Sequence, residues 1–101
     1  MKEIITKHQV SEMGYGYGYL NDVKGTSLKE VLNFYINNNS YINKLTIYNK
    51  DNSIYKDYSF YYGHIDYFYE SLKTEELNKI VKEIKFKYCH NQKDIDIYLE
   101  K

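Results

Sequence analysis

Glycines near the start of the sequence are the first residues whose type and density could serve chemistry, because phosphate-binding loops are rich in glycine. The run from residue 14 to residue 19 reads Gly-Tyr three times. A Walker loop also needs a lysine followed directly by Ser or Thr at the start of a helix, and here Gly25 separates Lys24 from Thr26. A dinucleotide-binding loop needs a third glycine at a wider offset inside a βαβ unit, which the alternating spacing does not provide. Neither phosphate-binding motif is therefore predicted.

The histidines and the cysteine are the other side chains that could carry catalysis or bind a metal. The histidines are His8, His64 and His90, and Cys89 is the only cysteine. Cys89 and His90 supply two ligands at a predicted bend, too few for a tetrahedral zinc site, and no local signature supplies the base that a nucleophilic cysteine needs. His64 lies two residues from Asp66, but this spacing on a segment of unassigned structure does not define an acid–base pair. The sequence therefore predicts no enzyme, no metal site and no cofactor.

Tyrosine is the residue type that the sequence supplies in excess. Eight of the fifteen residues from Tyr55 to Tyr69 are aromatic. A small domain cannot bury both faces of such a segment, and exposed tyrosines are typical of protein-binding surfaces. We predict that Tyr55, Tyr61, Tyr67 and Tyr69 lie near the surface. The alternative is that codon bias places Tyr where Phe or Leu would otherwise be buried, because nearly half of the chain is Lys, Asn, Ile or Tyr.

A second group of tyrosines lies in the segment from Gly14 to Leu20. If this segment is a strand, its period of two places the glycines on one face and Tyr15, Tyr17 and Tyr19 on the other. A bare glycine face allows another element to approach the backbone closely, and we expect the main helix to lie there. The three tyrosines then join the predicted partner-binding set.

The clearest element that could position these residues is a helix. Ser27 and Glu30 have the spacing of a capping box, in which each side chain accepts a hydrogen bond from a backbone amide at the helix start. The apolar residues that follow recur with helical spacing and indicate one buried face: Leu28, Val31, Leu32, Tyr35 and Ile36. Asparagines 37–39 tolerate the left-handed conformation common at a helix end. The sequence therefore predicts a helix that covers one face of a sheet.

One predicted hairpin opens the chain, and a second follows the helix. A strand from Ile4 to Val10 pairs with the glycine–tyrosine strand in the first hairpin. In the second, a strand at 44–48 is joined to a strand at 53–62 by the turn residues 49–52. The segment 65–72 fits a short helix as well as an irregular loop.

The third predicted hairpin follows a short helix that begins at Thr74 and directs Leu77, Ile80 and Val81 to the core. Apolar and charged residues alternate from Glu83 to Cys89 and from Asp94 to Leu99. With a loop at 90–93, the predicted register places Tyr88 opposite Ile95, Phe86 opposite Ile97 and Ile84 opposite Leu99. It also places Lys87 opposite Asp96.

These elements predict a single α+β domain over residues 1–101. Its antiparallel sheet is built from about three hairpins, with one main amphipathic helix packed on one face and a second short helix.

Charge and composition narrow the function classes. The 14 positive residues are all lysine and balance 14 acidic residues, so bulk electrostatics does not favour a polyanion or a membrane surface as partner. The first ten residues lack the apolar core of a signal peptide, and one cysteine forms no intramolecular disulfide. A cytoplasmic location is therefore predicted.

In size and composition the chain resembles the small proteins carried by phages and plasmids of AT-rich bacteria, which include inhibitors of host defence such as anti-CRISPR proteins. The resemblance implies a protein-binding module that uses its tyrosine-rich surface to bind a host protein or, as a homodimer, a second copy. The alternative is single-stranded nucleic-acid binding, with tyrosines stacking on bases and lysines meeting phosphates. The lack of Arg and the balanced charge favour the protein partner.

Overall fold

The computed structural model of the chain describes residues 15–20, 23–37, 42–59, 65–89 and 92–101, with side chains described at 23–37, 42–59, 65–87 and 93–101. The predicted strand from Ile4 to Val10, and with it the first hairpin, lies outside the described residues. Tyr61 and the three histidines lie outside them as well. Within the described part of the chain, no helix is long and apolar enough to cross a membrane.

Strands and helices follow one another in an α+β order. The strands are β1 (Tyr15–Leu20), β2 (Thr26–Ser27), β3 (Ile42–Tyr48), β4 (Ile54–Ser59), β5 (Ile80–Cys89) and β6 (Gln92–Leu99). The helices are α1 (Leu28–Asn37), α2 (Ile65–Glu70) and α3 (Thr74–Leu77). The predicted main helix and the second and third hairpins are thus confirmed, and the ambiguous segment at 65–72 begins as the short helix α2.

The sheet is mixed, so the prediction of an antiparallel sheet is wrong. Five strands have the order β1-β5-β6-β3-β4, and the two-residue strand β2 also pairs with β5. Both hairpins are antiparallel, whereas β3 and β6 join them as parallel neighbours. Parallel neighbours need a long crossover connection, and here β4, α2, α3 and β5 supply it. Alternation within a strand predicts a hairpin, but it carries no information on how two hairpins meet.

The register of the β5–β6 hairpin differs from the predicted one by two residues. Phe86 pairs with Ile95, and Lys87 pairs with Asp94. The distance from Lys87 Nζ to Asp94 Oδ2 is 3.7 Å. Cys89 pairs with Gln92, so only residues 90 and 91 connect the strands, and Tyr88 pairs with Lys93 rather than Ile95. The predicted four-residue loop, and the pairing of Lys87 with Asp96 that depends on it, are therefore wrong. A shift of two keeps every side chain on its predicted face, so the hydrophobic pattern alone cannot distinguish the two registers.

Helix α1 begins where the capping box predicts. The Glu30 amide donates a hydrogen bond of 3.2 Å to Ser27 Oγ, which satisfies one of the amides left without a partner in the first turn. The helix ends at Asn37, and its buried residues are Leu28, Val31, Leu32 and Tyr35. Ile36 is only half-buried, so the apolar stripe predicted from the sequence is confirmed apart from this last position.

The core lies between the three helices and one face of the sheet. Its strand residues alternate in sequence and are buried: Leu45, Ile47, Ile84, Phe86, Ile95, Ile97 and Leu99. From the helical side, α1 contributes its buried stripe, Phe68 and Leu72 follow from α2 and the turn after it, and Leu77 of α3 packs against the cluster. The prediction that Ile80 faces the core is wrong, because α3 is a single turn and Ile80 is an exposed residue at the start of β5, whereas Val81 is buried as predicted.

Two turns position strands of the sheet: one joins β3 to β4, and the other leads into β2. Asn52 has a φ of 70°, and the Asn49 amide donates to the Ser53 carbonyl at 2.8 Å, so the predicted turn at 49–52 closes the β3–β4 hairpin. Gly25 has a φ of 86°, a conformation that glycine adopts without the steric cost of a side chain. Its amide donates to the Val81 carbonyl at 3.0 Å. The Gly25 turn therefore leads the chain into β2 and directly on into α1.

Candidate functional site

Among the predicted tyrosines, the side chains that the structure describes are those of Tyr55, Tyr67 and Tyr69, and they differ in exposure. Tyr67 is 62% exposed on α2. Tyr55 and Tyr69 are half-buried and pack against the core. Ile65, Phe68, Tyr69 and Leu72 have the spacing of one helical face, which explains why Tyr69 turns inward while Tyr67 does not.

For the tyrosines of β1, the structure describes the backbone pairing with β5. Tyr17 pairs with Lys87 and Tyr19 with Lys85, whereas Gly18 pairs with the buried Phe86. Directly paired residues belong to the same face of an antiparallel sheet. Positions 15, 17 and 19 therefore belong to the face opposite the helices, and the glycine positions belong to the face that the helices cover.

We call the sheet face opposite the helices the open face. Its described side chains form three rows that run across β5, β6, β3 and β4. The first two rows are mostly charged, and the third is mostly aromatic and aliphatic. Their residues are Lys87, Asp94, Lys44 and Ser59; Lys85, Asp96, Thr46 and Asp57; and Glu83, Tyr98, Tyr48 and Ile54.

The third row, at one end of the open face, is called the aromatic row and consists of Glu83, Tyr98, Tyr48 and Ile54, with Lys85 of the second row reaching over it. The rings of Tyr48 and Tyr98 stack with their centroids 4.7 Å apart and an interplanar angle of 11°. The Lys85 ammonium lies 5.0 Å from the centroid of the Tyr98 ring, in cation–π distance. Ile54 pairs with Tyr48 across the hairpin and is 58% exposed. The row thus combines a rigid ring stack with an exposed aliphatic side chain.

The parallel junction of the two hairpins creates the aromatic row. Tyr48 ends β3 and Tyr98 lies near the end of β6, and only the parallel pairing places these two residues side by side. Burial and then the nearby Asp96 carboxylate raise the pKa of both tyrosines, so both are neutral near pH 7. Sequence reasoning missed this pair because the two residues are far apart in the chain. Alternation predicts the sheet face of each residue but not which strand lies beside it.

Charges on the open face nearly cancel. In its first two rows Lys44, Lys85 and Lys87 stand beside Asp57, Asp94 and Asp96, so that the sign alternates from strand to strand. Glu83 in the third row leaves the described side chains of this face with one more negative than positive charge. Asp94 also accepts a hydrogen bond of 3.1 Å from Asn43 Nδ2. Burial and then the neighbouring Asp94 carboxylate raise the pKa of Asp96. The open face therefore presents little net field to an approaching ligand.

A second cluster lies on the helical side, between β4 and α3. The β3–β4 register skips Tyr55, which forms a β-bulge between Ile54 and Lys56. A bulge can direct two consecutive side chains toward one side of a strand. The Tyr55 hydroxyl donates a hydrogen bond of 2.7 Å to Glu76 Oε2, and Lys56 Nζ lies 3.3 Å from the same oxygen. The bulge thus brings two neighbouring β4 side chains to one carboxylate of α3.

The same cluster perturbs the pKa values of its acidic partners. The Lys73 amide donates to Glu76 Oε1 at 2.9 Å. This bond, followed by those from Tyr55 and Lys56, lowers the pKa of Glu76 to about 2. Burial and then the bond to Glu76 raise the pKa of Tyr55 to about 12. Neither group exchanges its proton near pH 7, so the pair fastens α3 to β4 and is not tuned for acid–base catalysis.

An open pocket of about 470 Å³ lies over this cluster. It is lined by Tyr55, Lys56, Lys73, Glu75, Glu76 and Lys79. The Lys79 ammonium lies 5.1 Å from the centroid of the Tyr55 ring. Among the described residues, no group of three or more His, Cys, Asp or Glu side chains could hold a metal ion.

Comparison of the chain with protein-family models, curated proteins and solved structures finds no match. An α+β fold by itself supports many unrelated functions. Function therefore depends on particular sites, and the open face and the lysine-lined pocket are two such candidates.

Proposed function

We propose that the chain is a non-enzymatic protein-binding module that contacts its partner through the open face. The observation that supports this most directly is the aromatic row, in which Ile54 is 58% exposed beside the stacked Tyr48 and Tyr98 rings. Stacked tyrosines offer a large contact area with little conformational entropy to lose. The three helices pack on the other face of the sheet, so a partner could reach this row without displacing them.

Charge on the open face favours a protein over a nucleic acid. A nucleic-acid site needs a positive surface that releases counterions from phosphates, and here three aspartates and Glu83 stand among three lysines. Base stacking also needs free ring faces. Tyr98 already has Tyr48 on one side and Lys85 on the other. The single-strand alternative is therefore the less favoured proposal.

The proposed contact uses the face of the sheet and not its edge. Strand β4 forms one edge of the described sheet, where a partner strand could in principle add. Lys56 and Asp57 lie in the middle of this strand, and charged side chains together with a bulge oppose pairing at an edge. On the open face, by contrast, Ile54 presents an exposed apolar side chain to a partner.

The partner in this proposal is another protein. A second copy of the chain fits a face whose positive and negative columns alternate, because such a face can complement itself. The resemblance in composition to phage and plasmid proteins suggests a host defence protein instead. Both partners would use the same aromatic row.

The proposal is tested by replacing Ile54 and comparing the variant with a matched exposed residue on the helical side. Ile54→Asp is expected to lose partner binding while it stays folded, because the side chain is already largely in water. Tyr67→Asp is the control, since Tyr67 has a similar exposure but lies on α2. Sedimentation equilibrium measures self-association, and quantitative affinity capture from a bacterial host lysate measures binding to other proteins.

Loss of binding in Ile54→Asp with retention in Tyr67→Asp supports the open face. Loss only in Tyr67→Asp would place the contact on the helical side and overturn the proposal. A strictly monomeric chain that captures no protein above the background of an unfolded control would remove the proposed function altogether.

A further inference from the structure

We infer that the pocket between β4 and α3 is a binding site for a phosphate group, either inorganic or carried by a small organic molecule. The inference is independent of the proposed function, because the pocket lies on the helical side of the sheet. It is carried by the pocket itself and by the way in which its acidic and basic side chains are paired.

The carboxylate of Glu76 is saturated by its neighbours. Oε1 accepts the Lys73 amide, and Oε2 accepts the Tyr55 hydroxyl and contacts Lys56 Nζ. Glu76 is only 12% exposed. A ligand in the pocket therefore meets little of this negative charge, and the ion pair with Glu76 holds the Lys56 ammonium in the lining.

Two further lysines give the pocket its positive character. Lys73 and Lys79 line it, with Glu75 as the one other acidic residue in the lining. Lys79 lies over the ring of Tyr55, and a ring face attracts the ammonium charge without engaging its donors in conventional hydrogen bonds. Lys79 also lines the pocket, so its ammonium group borders a volume that an anion can enter. With Lys56 and Glu76 paired, the lining is left with Lys73 and Lys79 against Glu75, a net charge of one positive unit.

Phosphate is the anion that best fits this lining. A lysine ammonium is a compact charge with three donors and is a common phosphate ligand. The volume of about 470 Å³ lies within the range of small-molecule pockets and exceeds what one phosphate ion fills. The space left over could hold a small organic group beside the phosphate.

The test is a titration of the ¹⁵N-labelled chain with inorganic phosphate, and separately with phenyl phosphate, at an ionic strength held constant with sodium chloride. Saturable amide shifts are expected at residues 55–56 and 73–79. Lys79→Gln should weaken binding about fivefold, the upper range for one exposed charge pair. Lys82→Gln is the matched control, because Lys82 is an exposed lysine outside the pocket.

Glu75→Gln gives a result that loss of structure cannot imitate. Removal of this exposed negative charge should strengthen binding about threefold, by the same estimate for one exposed pair. Tighter binding of phenyl phosphate than of inorganic phosphate would identify an organic phosphate as the ligand, and equal binding would identify the ion. Shifts spread over all lysines, an equal effect of Lys82→Gln, or no gain from Glu75→Gln would each reduce the result to a salt effect and overturn the inference.

Discussion

The contact between α3 and β4 leads to a prediction about stability, tested by replacing the Glu76 carboxylate with an amide of nearly the same shape. In Glu76→Gln the side chain keeps its shape but loses the charge that Tyr55, Lys56 and the Lys73 amide stabilise. We expect the variant to fold and to be less stable than the wild type at pH 7. The effect should be largest where the wild-type carboxylate is fully ionised in both the folded and the unfolded chain.

The size of the effect follows from the pKa of Glu76. The pKa falls from 4.5 to about 2 on folding, which sets an upper limit of roughly 3 to 4 kcal/mol at about 1.4 kcal/mol per pKa unit. Solvent screens part of this, because the Lys56 side chain is 38% exposed. The glutamine amide can also keep part of the hydrogen bonding. We therefore expect the free energy of unfolding to fall by about 1 to 2 kcal/mol.

The sign of the pH dependence is fixed by the direction of the shift. The folded-state pKa of Glu76 is lower than the unfolded one, so the stabilisation is fully present above about pH 4.5 and is lost as the pH falls toward 2. The difference between wild type and Glu76→Gln should therefore be constant from pH 7 to pH 5 and shrink below pH 4.5.

Urea unfolding followed by circular dichroism at pH 7, 5, 4 and 3 measures this difference, with two pH values above the unfolded-state pKa of 4.5 and two below it. Glu75→Gln is the matched control, since Glu75 is the exposed neighbour of Glu76. It should change stability by less than about 0.5 kcal/mol at each pH. Equal effects of the two substitutions, or a Glu76→Gln effect that does not shrink in acid, would refute this account of the cluster.

Three further predictions concern the turn, the core and the tyrosine. Gly25→Ala should lower the free energy of unfolding by about 1 kcal/mol or more, because Gly25 has a φ of 86°; an unchanged urea midpoint would show that the turn relaxes. Ile97→Ala should lower the free energy of unfolding by about 2 to 5 kcal/mol, because this side chain is fully buried. Ile54→Ala should lower it by less than about 0.5 kcal/mol, because Ile54 is exposed. Similar unfolding midpoints for the two variants would contradict the assignment of these residues to opposite faces of the sheet. Tyr55 should be among the last tyrosines to ionise, near pH 12, and its bond to Glu76 should stabilise the fold below pH 10 and fail as the pH rises toward 12; an ultraviolet titration in which Tyr55→Phe removes a phenol ionising near pH 10 would be inconsistent with that bond.

Local signals in the sequence predict much of the fold. The spacing of Ser27 and Glu30 places the start of α1, and turn residues place the β3–β4 hairpin. Alternation from Ile84 onward predicts two strands and their buried faces. Each of these signals depends on residues close together in the chain, so the physical cause can be read directly from the spacing.

Long-range pairing could not be predicted in the same way. The parallel neighbours β3 and β6 are separated by more than forty residues, and no local spacing specifies which strands of two hairpins meet. The register of β5 with β6 depends on whether the loop has two or four residues, and both choices keep Phe86 and Ile95 on the core face.

The same limit applies to the candidate sites. Tyr48 and Tyr98 become neighbours only through the parallel pairing, and Tyr55 meets Glu76 only because of a bulge. Tyrosine density in the sequence indicated residues 55–69, but burial depends on helical phase and register. Tyr67 is exposed, whereas Tyr55 and Tyr69 are half-buried.

The central position of β6 also determines when the domain can fold during synthesis. β6 is the last of the described strands to leave the ribosome, yet it is the strand that β3 and β5 both need as a neighbour. Until residue 99 has emerged, the β3–β4 hairpin has no inner partner, and Leu45 and Ile47 lack the β6 residues that cover them. Pairing of β6 with β3 therefore joins segments that are distant in the chain, and long-range pairing of this kind makes slow folding the expected behaviour of the protein.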